Sequence, residues 1–301
     1  MQSKGKSAQY LIKKVETPNI LFGVSTFLCT FAPTIQDNSM SLESKIMKYE
    51  DVRMEYQKEI QERMSEFELL RNNEALFSAH SCAIEGNSFT VDDTRILMEQ
   101  DLGMTVPAGK KLYELLEIRD HLRAYEYVVN NLQHPLDEAF LKEVNRLVTE
   151  HTLSYHAPGF VPGEYTTVDM AAGDTLFGEH EKLIAHVPQL LESTERAIVS
   201  DTHPMIVAAR FHGYYEYLHP FRDGNGRTGR LISNYILLRK GHPQLVIKLE
   251  ERQQYISALK QIRKEGTDEY LMHFFFDVAI AHMQEDIGQK KKNTKPKIFL
   301  F

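Results

Sequence analysis

The chain has 301 residues, enough for one large domain or two small ones around a sizeable core. Apolar residues make up 42% and charged residues 26%, the balance of a globular protein. A net charge of −7, from 35 basic and 42 acidic residues, argues against nucleic acid as a partner, because phosphate-backbone binding needs concentrated positive charge.

Residues 1–40 read as an N-terminal extension or a targeting-like segment. Lys4, Lys6, Lys13 and Lys14 precede an apolar stretch from Ile20 to Ala32, which has the layout of a secretory signal. Regular patterning starts only near Met40, and an upstream extension is the preferred reading. No apolar run reaches the roughly 20 residues that span a bilayer. The two cysteines, Cys29 and Cys82, are too few for a disulfide scaffold and lack metal-type spacing, which fits a reducing, cytoplasmic setting.

From Ser41 onward Ile46, Tyr49, Val52, Tyr56, Ile60, Met64, Phe67 and Leu70 recur every three or four residues, which predicts a helix with one buried stripe. A second helix is predicted over 74–85, stopped by Gly86 and Asn87. Thr90 with Asp93 caps a short helix over 91–100, which Gly103 and Pro107 break. A long helix follows over 109–131, with Leu112, Leu115, Leu116, Leu122 and Tyr125 inward, and another over 136–150. Residues 156–178 differ in character. Pro158, Gly159, Pro162, Gly163, Gly173 and Gly178 surround β-prone Tyr165, Thr166, Thr167 and Val168, and predict an exposed loop or β-hairpin. Helical patterning returns at 180–199, 204–218, 227–240, 250–264 and 268–288. The tail carries Lys290, Lys291, Lys292, Lys295 and Lys297 and reads as a solvated, frayed end. The fold class is all-α with one hairpin.

The chemistry is concentrated in His219-Pro220-Phe221-Arg222-Asp223-Gly224-Asn225-Gly226-Arg227-Thr228-Gly229-Arg230. One helix runs into a Gly/Asn turn and a second starts near Arg227. Gly224 and Gly226 allow positive φ and close approach of a ligand to the backbone. Successive amides in such a turn, with the helix start behind them, form an anion cradle. Arg227 and Arg230 lie three apart and can each give charge-assisted bonds to phosphate. Asp223 is a hard oxygen ligand of the kind that holds Mg²⁺ beside a polyphosphate. His219 is the nearby group whose ordinary titration range suits proton abstraction at neutral pH.

This stretch resembles the Fic signature, H-P-F-x-[DE]-G-N-G-R-x-x-R, at every specified position. The resemblance spans roughly 75–240 and implies a helical bundle with a hairpin flap over the site. It implies AMP transfer from ATP to a Ser, Thr or Tyr hydroxyl of a protein, in some cases the chain itself. By motif position His219 is then the general base and Phe221 anchors the loop. Asp223 holds Mg²⁺, Gly224, Asn225 and Gly226 line the anion hole, and Arg227 and Arg230 bind the β- and γ-phosphates. Kinase-like relatives carry Lys where this chain has Gly226, so glycine favours nucleotidyl transfer.

Upstream, Ser81-Cys82-Ala83-Ile84-Glu85-Gly86 matches the family's inhibitory pattern, [ST]-x-x-x-E-[GN]. Ser81 and Glu85 are one helical turn apart and share a face. Glu85, at a helix C-terminus, faces the negative end of the dipole and needs a partner elsewhere. The resemblance supplies Arg230, a pairing that blocks the γ-phosphate. In some relatives the same glutamate positions water to remove AMP. Tyr165, Thr166, Thr167 and Val168 are the candidates for the flap edge that docks a target backbone. The expected organisation is an extension over 1–40, N-terminal helices with the inhibitory motif over 41–105, the catalytic core with its completing helices over 106–288, and a basic tail over 289–301. An autoinhibited AMP-transferase is the leading expectation, with a deAMPylase or a transferase of another phosphate-containing group as the alternative. A nucleotide sensor without turnover is the reading from a different class, and the intact His219 speaks against it. A homo-oligomer is left open.

Overall fold

The computed structural model describes residues 40–64, 66–99, 106–172 and 175–294. The N-terminal segment over 1–39, the expected break at Gly103, Gly173 of the hairpin region, and Lys295 and Lys297 of the tail lie outside them. In chain order the helices are α1 (Leu42–Glu59), α2 (Glu66–Ile84), α3 (Val91–Glu99), α4 (Leu112–Asn130), α5 (Glu138–Thr149) and the single turn α6 (Leu153–His156). Two-residue strands β1 (Ala171–Ala172) and β2 (Thr175–Leu176) precede α7 (Leu183–Val199), α8 (Pro204–Leu218), α9 (Asn225–Arg239), α10 (Arg252–Glu265) and α11 (Glu269–Thr294). The fold is all-α. Among the described residues, no helix is long and apolar enough to cross a membrane.

Local chemistry explains most boundaries. Ser41 caps α1 by accepting from the Ser44 amide. The Thr90 hydroxyl accepts from the Asp93 amide while the Asp93 carboxylate accepts from the Thr90 amide, a reciprocal cap that starts α3. Asp137 caps α5 through the Phe140 amide. Pro204 occupies the first turn of α8, where a missing N–H costs nothing. The first predicted stripe is divided between two helices. The chain leaves α1 at Glu59, makes a 3₁₀ turn over Gln61–Arg63, and Phe67 and Leu70 belong to α2. At the other end α11 continues to Thr294, so Lys290, Lys291 and Lys292 extend a helix instead of starting a frayed tail.

The pair α8–α9 is the centre of the bundle. From Leu231 to Leu237 nearly every side chain of α9 is buried, apolar and polar alike. α7, α10 and α11 pack against α8, while α4, α5 and α2 pack against α9, and α1 lies along α11. The close crossing of α8 and α9 depends on Gly229. A Cβ there would sit 2.8 Å from His212 Nδ1 and 3.0 Å from Tyr215 Cδ1, both on α8.

The hairpin expected across 156–178 is confined to four residues. Ala171 pairs with Leu176 and Ala172 with Thr175. Tyr165 through Val168 form no strand, because this stretch is spent elsewhere: Tyr165 bridges to Phe221 and the Thr166 amide donates to the Pro220 carbonyl at 2.8 Å. The inward set of α4 also differs from expectation. Leu115 and Tyr125 are buried, Leu112 is exposed, and Glu114, Glu117, Asp120 and His121 are buried instead.

Gly229→Ala is expected to lower stability by about 1–3 kcal/mol by overpacking the α8–α9 crossing. Urea unfolding checks this, and an unchanged midpoint shows that the crossing has slack.

Candidate active site

The site is built where α8 stops and α9 begins. Proline after His219 disfavours a helical conformation at His219, so α8 must end there. His219 takes the left-handed conformation with φ 50°, the one non-glycine residue among those described to do so. For an L-residue this costs about 1–2 kcal/mol. It turns the imidazole back over the last turn of α8, where the ring stacks on Phe177 with centroids 3.8 Å apart. His219 Nδ1 lies 3.5 Å from Glu216 Oε2.

The loop that follows is stapled by Asn225. Its Oδ1 accepts from the Phe221 amide at 3.0 Å and its Nδ2 donates to the Phe221 carbonyl at 2.7 Å. Phe221 is 1% exposed and plugs the loop into the core. Asn145 of α5 adds a second tie, donating to the Asp223 carbonyl and to the Thr228 hydroxyl. Gly224 has φ 74° and is the N-cap of α9. The first intrahelical bond runs from the Thr228 amide to the Gly224 carbonyl. By position, therefore, α9 has no acceptor for the amides of Asn225, Gly226 and Arg227, and its dipole favours an anion there.

The two arginines differ in what they face. Arg230 is 3% exposed and lines a cavity of about 350 Å³ together with His219, Gly226, Glu85, Tyr255 and Phe177. It donates through Nη2 to Glu85 Oε1 at 2.8 Å and to the Ser81 carbonyl at 2.8 Å, and through Nε to Ser81 Oγ at 3.0 Å. Nη1 reaches the Tyr255 hydroxyl at 3.4 Å, and that hydroxyl meets His212 Nε2 at 2.6 Å. Burial pulls the Arg230 titration down, but the Tyr255 phenol and the Glu85 carboxylate outweigh it and hold it above its ordinary value. Burial drives His212 down to about 4, so it is neutral and can accept from Tyr255. Arg227 turns away from this cavity. Its Nη1 lies 2.6 Å from Glu117 Oε1 on α4, and its Nη2 lies 3.3 Å from Asp223 Oδ1.

Glu85 follows the last residue of α2. The chain turns at Gly86, with φ 103°, and the Asn87 amide returns to the Cys82 carbonyl. The Asn87 side chain donates to Glu117 Oε2 at 2.6 Å and to the Glu114 carbonyl. One run of contacts therefore links Asn87, Glu117, Arg227 and Asp223, and it ties the Ser81–Gly86 turn to the motif loop. Gly226 lets the ion pair sit close to the helix start: a Cβ there would meet Glu85 Oε1 and stand 2.9 Å from Arg230 Nη1, so those side-chain ends would have to shift.

Asp223 accepts from the Gly224 amide and from Arg227 through Oδ1, and its side chain is 27% exposed. Of the four hairpin-region residues, Tyr165 and Thr166 are tied to the motif loop, while Thr167 and Val168 are exposed. Sequence reasoning passed over Asn145, Glu117, Glu216 and Tyr255. For Glu117 a signal was present: acids at 114, 117 and 120 recur every third residue beside the apolar stripe of a helix, and acids that face inward need a cation or hydrogen-bond donors to meet them.

In this all-α bundle His219, Gly226 and the buried Arg230 line one cavity at the start of α9, a geometry that suits an anionic group. The description Fic/DOC family matches residues 135–237. The protein adenylyltransferase Fic of Nematostella vectensis is 31% identical over 193 residues, covering 60% of this chain and 42% of that protein. That of Aedes aegypti is 30% identical over 201 residues, covering 66% and 38%. The chain thus spans about two fifths of the length of the curated relatives it matches. A Fic-domain signalling protein from Bacteroides thetaiotaomicron has the same fold, with a TM-score of 0.65 at 22% identity over 83% of this chain and 97% of its own. Fic-1 from C. elegans matches with a TM-score of 0.67 at 24% identity, covering 84% of this chain and 74% of that one.

Glu117→Leu leaves the Arg227 guanidinium buried without its main counter-ion, and should destabilise the chain by about 3–5 kcal/mol. Chemical denaturation measures it; a loss below 1 kcal/mol means that Asp223 alone suffices.

Proposed function

We propose that this chain transfers AMP from ATP to a hydroxyl side chain of a protein, and that Glu85 holds it at rest. One observation carries the reading: His219, Gly226 and Arg230 converge on a single cavity, and the Glu85 carboxylate already grips the Arg230 guanidinium inside it at 2.8 Å. A cavity of this size suits a small ligand. The curated relatives' name, protein adenylyltransferase, supports the same chemistry. ATP is the nucleotide substrate in this reading, and its use fits a cytoplasmic protein.

The chemistry follows from the placement. The amides at the start of α9 and Arg230 take the polyphosphate. His219 accepts the proton of the target hydroxyl, the oxygen attacks the α-phosphorus, and the bond to the bridging oxygen breaks with pyrophosphate leaving. Positioning and charge stabilisation supply most of the rate, since phosphoryl-type transfer asks little covalent work of a protein. Asp223 fits a Mg²⁺ ion, being a part-exposed carboxylate with one oxygen fixed by the Gly224 amide at 2.6 Å and the other unused by that bond. When bound, Mg²⁺ neutralises phosphate charge. Arg227 holds Asp223 in place from behind.

Glu85 acts as the brake by occupying the guanidinium that a γ-phosphate would need. Because its carboxylate lines the same cavity as His219, it is also placed to orient water for hydrolytic removal of AMP, and that is the second reading. The exposed Thr167 and Val168 are the candidates to meet a target's backbone.

With labelled ATP and Mg²⁺, Glu85→Gly is expected to self-label faster than the parent chain, and equal rates sink the brake. His219→Ala should lower transfer by ~10²–10⁴-fold while ATP still binds by calorimetry. Transfer that survives this substitution removes His219 from the role of base.

A further inference from the structure

Glu216 lies at the mouth of the site, and nothing in the Fic signature assigns it a role. It stands three residues before His219, on the last turn of α8, and its side chain is only 13% exposed. A carboxylate so enclosed needs a cationic or donating partner. Its nearest cationic group among the described residues is His219, with Nδ1 3.5 Å from Oε2, and both that nitrogen and Glu216 Oε1 are buried with no hydrogen-bond partner. The charges around it are favourable. Burial pushes its carboxyl up, but His219, then His212 and Arg230, outweigh burial and hold it below the usual carboxylate range. It is therefore an ionised group facing one nitrogen of the imidazole.

The ring is gripped from its face as well. Phe177 stacks on it, and Arg263 lies over the Phe177 ring at 4.7 Å and over the Tyr217 ring at 4.6 Å. The same guanidinium donates to the carbonyls of Leu176, Glu216 and Tyr217, so it joins β2 to the end of α8. These contacts leave the imidazole little freedom to turn. Its tautomer is then set by what Nδ1 meets.

We infer that Glu216 is a positioning residue for His219, its carboxylate accepting from Nδ1–H so that Nε2 is left as the base. A neutral imidazole has one donor nitrogen and one acceptor nitrogen, and a carboxylate can only accept. An anion beside Nδ1 selects the tautomer that carries its proton there. When Nε2 takes the proton of an incoming hydroxyl, the imidazolium keeps its Nδ1 proton and the Glu216 carboxylate stands beside the new positive charge without itself being protonated. Catalytic hydrogen bonds commonly shorten once substrate is bound, which accommodates the 3.5 Å separation in the free chain.

The test uses the full chain carrying Glu85→Gly, with ¹⁵N-histidine spectra and labelled-ATP transfer measured side by side. Glu216→Leu keeps volume and removes the acceptor. Glu216→Gln keeps an acceptor oxygen and removes the charge. In the parent, His219 should show a protonated Nδ1 and an unprotonated Nε2. Glu216→Leu should lose that pattern and transfer AMP ~10–100-fold more slowly, within what general-base positioning contributes. Glu216→Gln should keep the pattern and recover part of the rate. The inference is overturned if the Glu216→Leu spectrum keeps the parent pattern, or if its rate stays within twofold of the parent. The rate arm rests on the AMP-transfer reading and the spectral arm does not. A parent that transfers nothing therefore fails that reading, while the tautomer still decides Glu216.

Discussion

The structure depends on one demand: the Arg230 guanidinium, sealed to 3% exposure, must have an anion. A buried arginine is not relieved by losing its proton, so its partners must come to it. The Ser81 carbonyl, the Ser81 hydroxyl and the Tyr255 hydroxyl satisfy its donors, but only Glu85 brings charge. Glu85 is also the most exposed of these partners, at 39% of its side chain. The one anion that meets the demand is therefore the one held least tightly. A phosphate entering the same cavity competes for a guanidinium that is already fixed in place.

Arg227 makes the contrast clear. It is as deeply buried as Arg230, but its main counter-ion is Glu117 on α4, itself largely enclosed. Two arginines one turn apart on α9 thus do different work. One holds Asp223 and the loop from behind, and the other faces the cavity. Asn87 hydrogen-bonds to Glu117, so the turn that carries Glu85 is fastened to the same scaffold that fastens the loop. The Ser81–Gly86 turn and the motif loop keep their spacing because both are tied to Glu117.

The helices were legible in the sequence because their signals are local. Apolar residues at three- and four-residue spacing, Thr90 with Asp93, Gly86 with Asn87, and Pro204 after His203 each mark an element or its end within a few positions. The motif was legible for the same reason: His219 to Arg230 is one continuous stretch, and its turn, its amides and its charges follow from neighbouring residues. What was not legible is what depends on distant pairing. Glu117 and Arg227 are 110 positions apart in number, and nothing near either names the other. Tyr165 to Val168 has the composition of a strand, yet its hydrogen-bonding goes to Pro220 and Phe221, a competition that composition does not report. The inward set of α4 has the same origin: Glu114 takes the Ser88 amide, Glu117 pairs with Arg227, Asp120 takes His151 and His121 meets Ser78, all partners distant in sequence, while Leu112 is left exposed.

His219 shows how these parts join. A helix that ended in a glycine at this position would adopt the left-handed conformation without strain, but it would place no imidazole there. The proline that follows ends the helix but by itself favours extended backbone at His219, so the left-handed conformation is not the proline's doing. In return the imidazole is brought back over α8, between Phe177 and Glu216, instead of pointing along the chain into solvent. The conformation that is locally unfavourable is the one that lets a single helix end present a proton acceptor and, six residues later, the first amide of an anion cradle. Separating the two by a longer loop would loosen the fixed distance between the imidazole and the free amides at the start of α9.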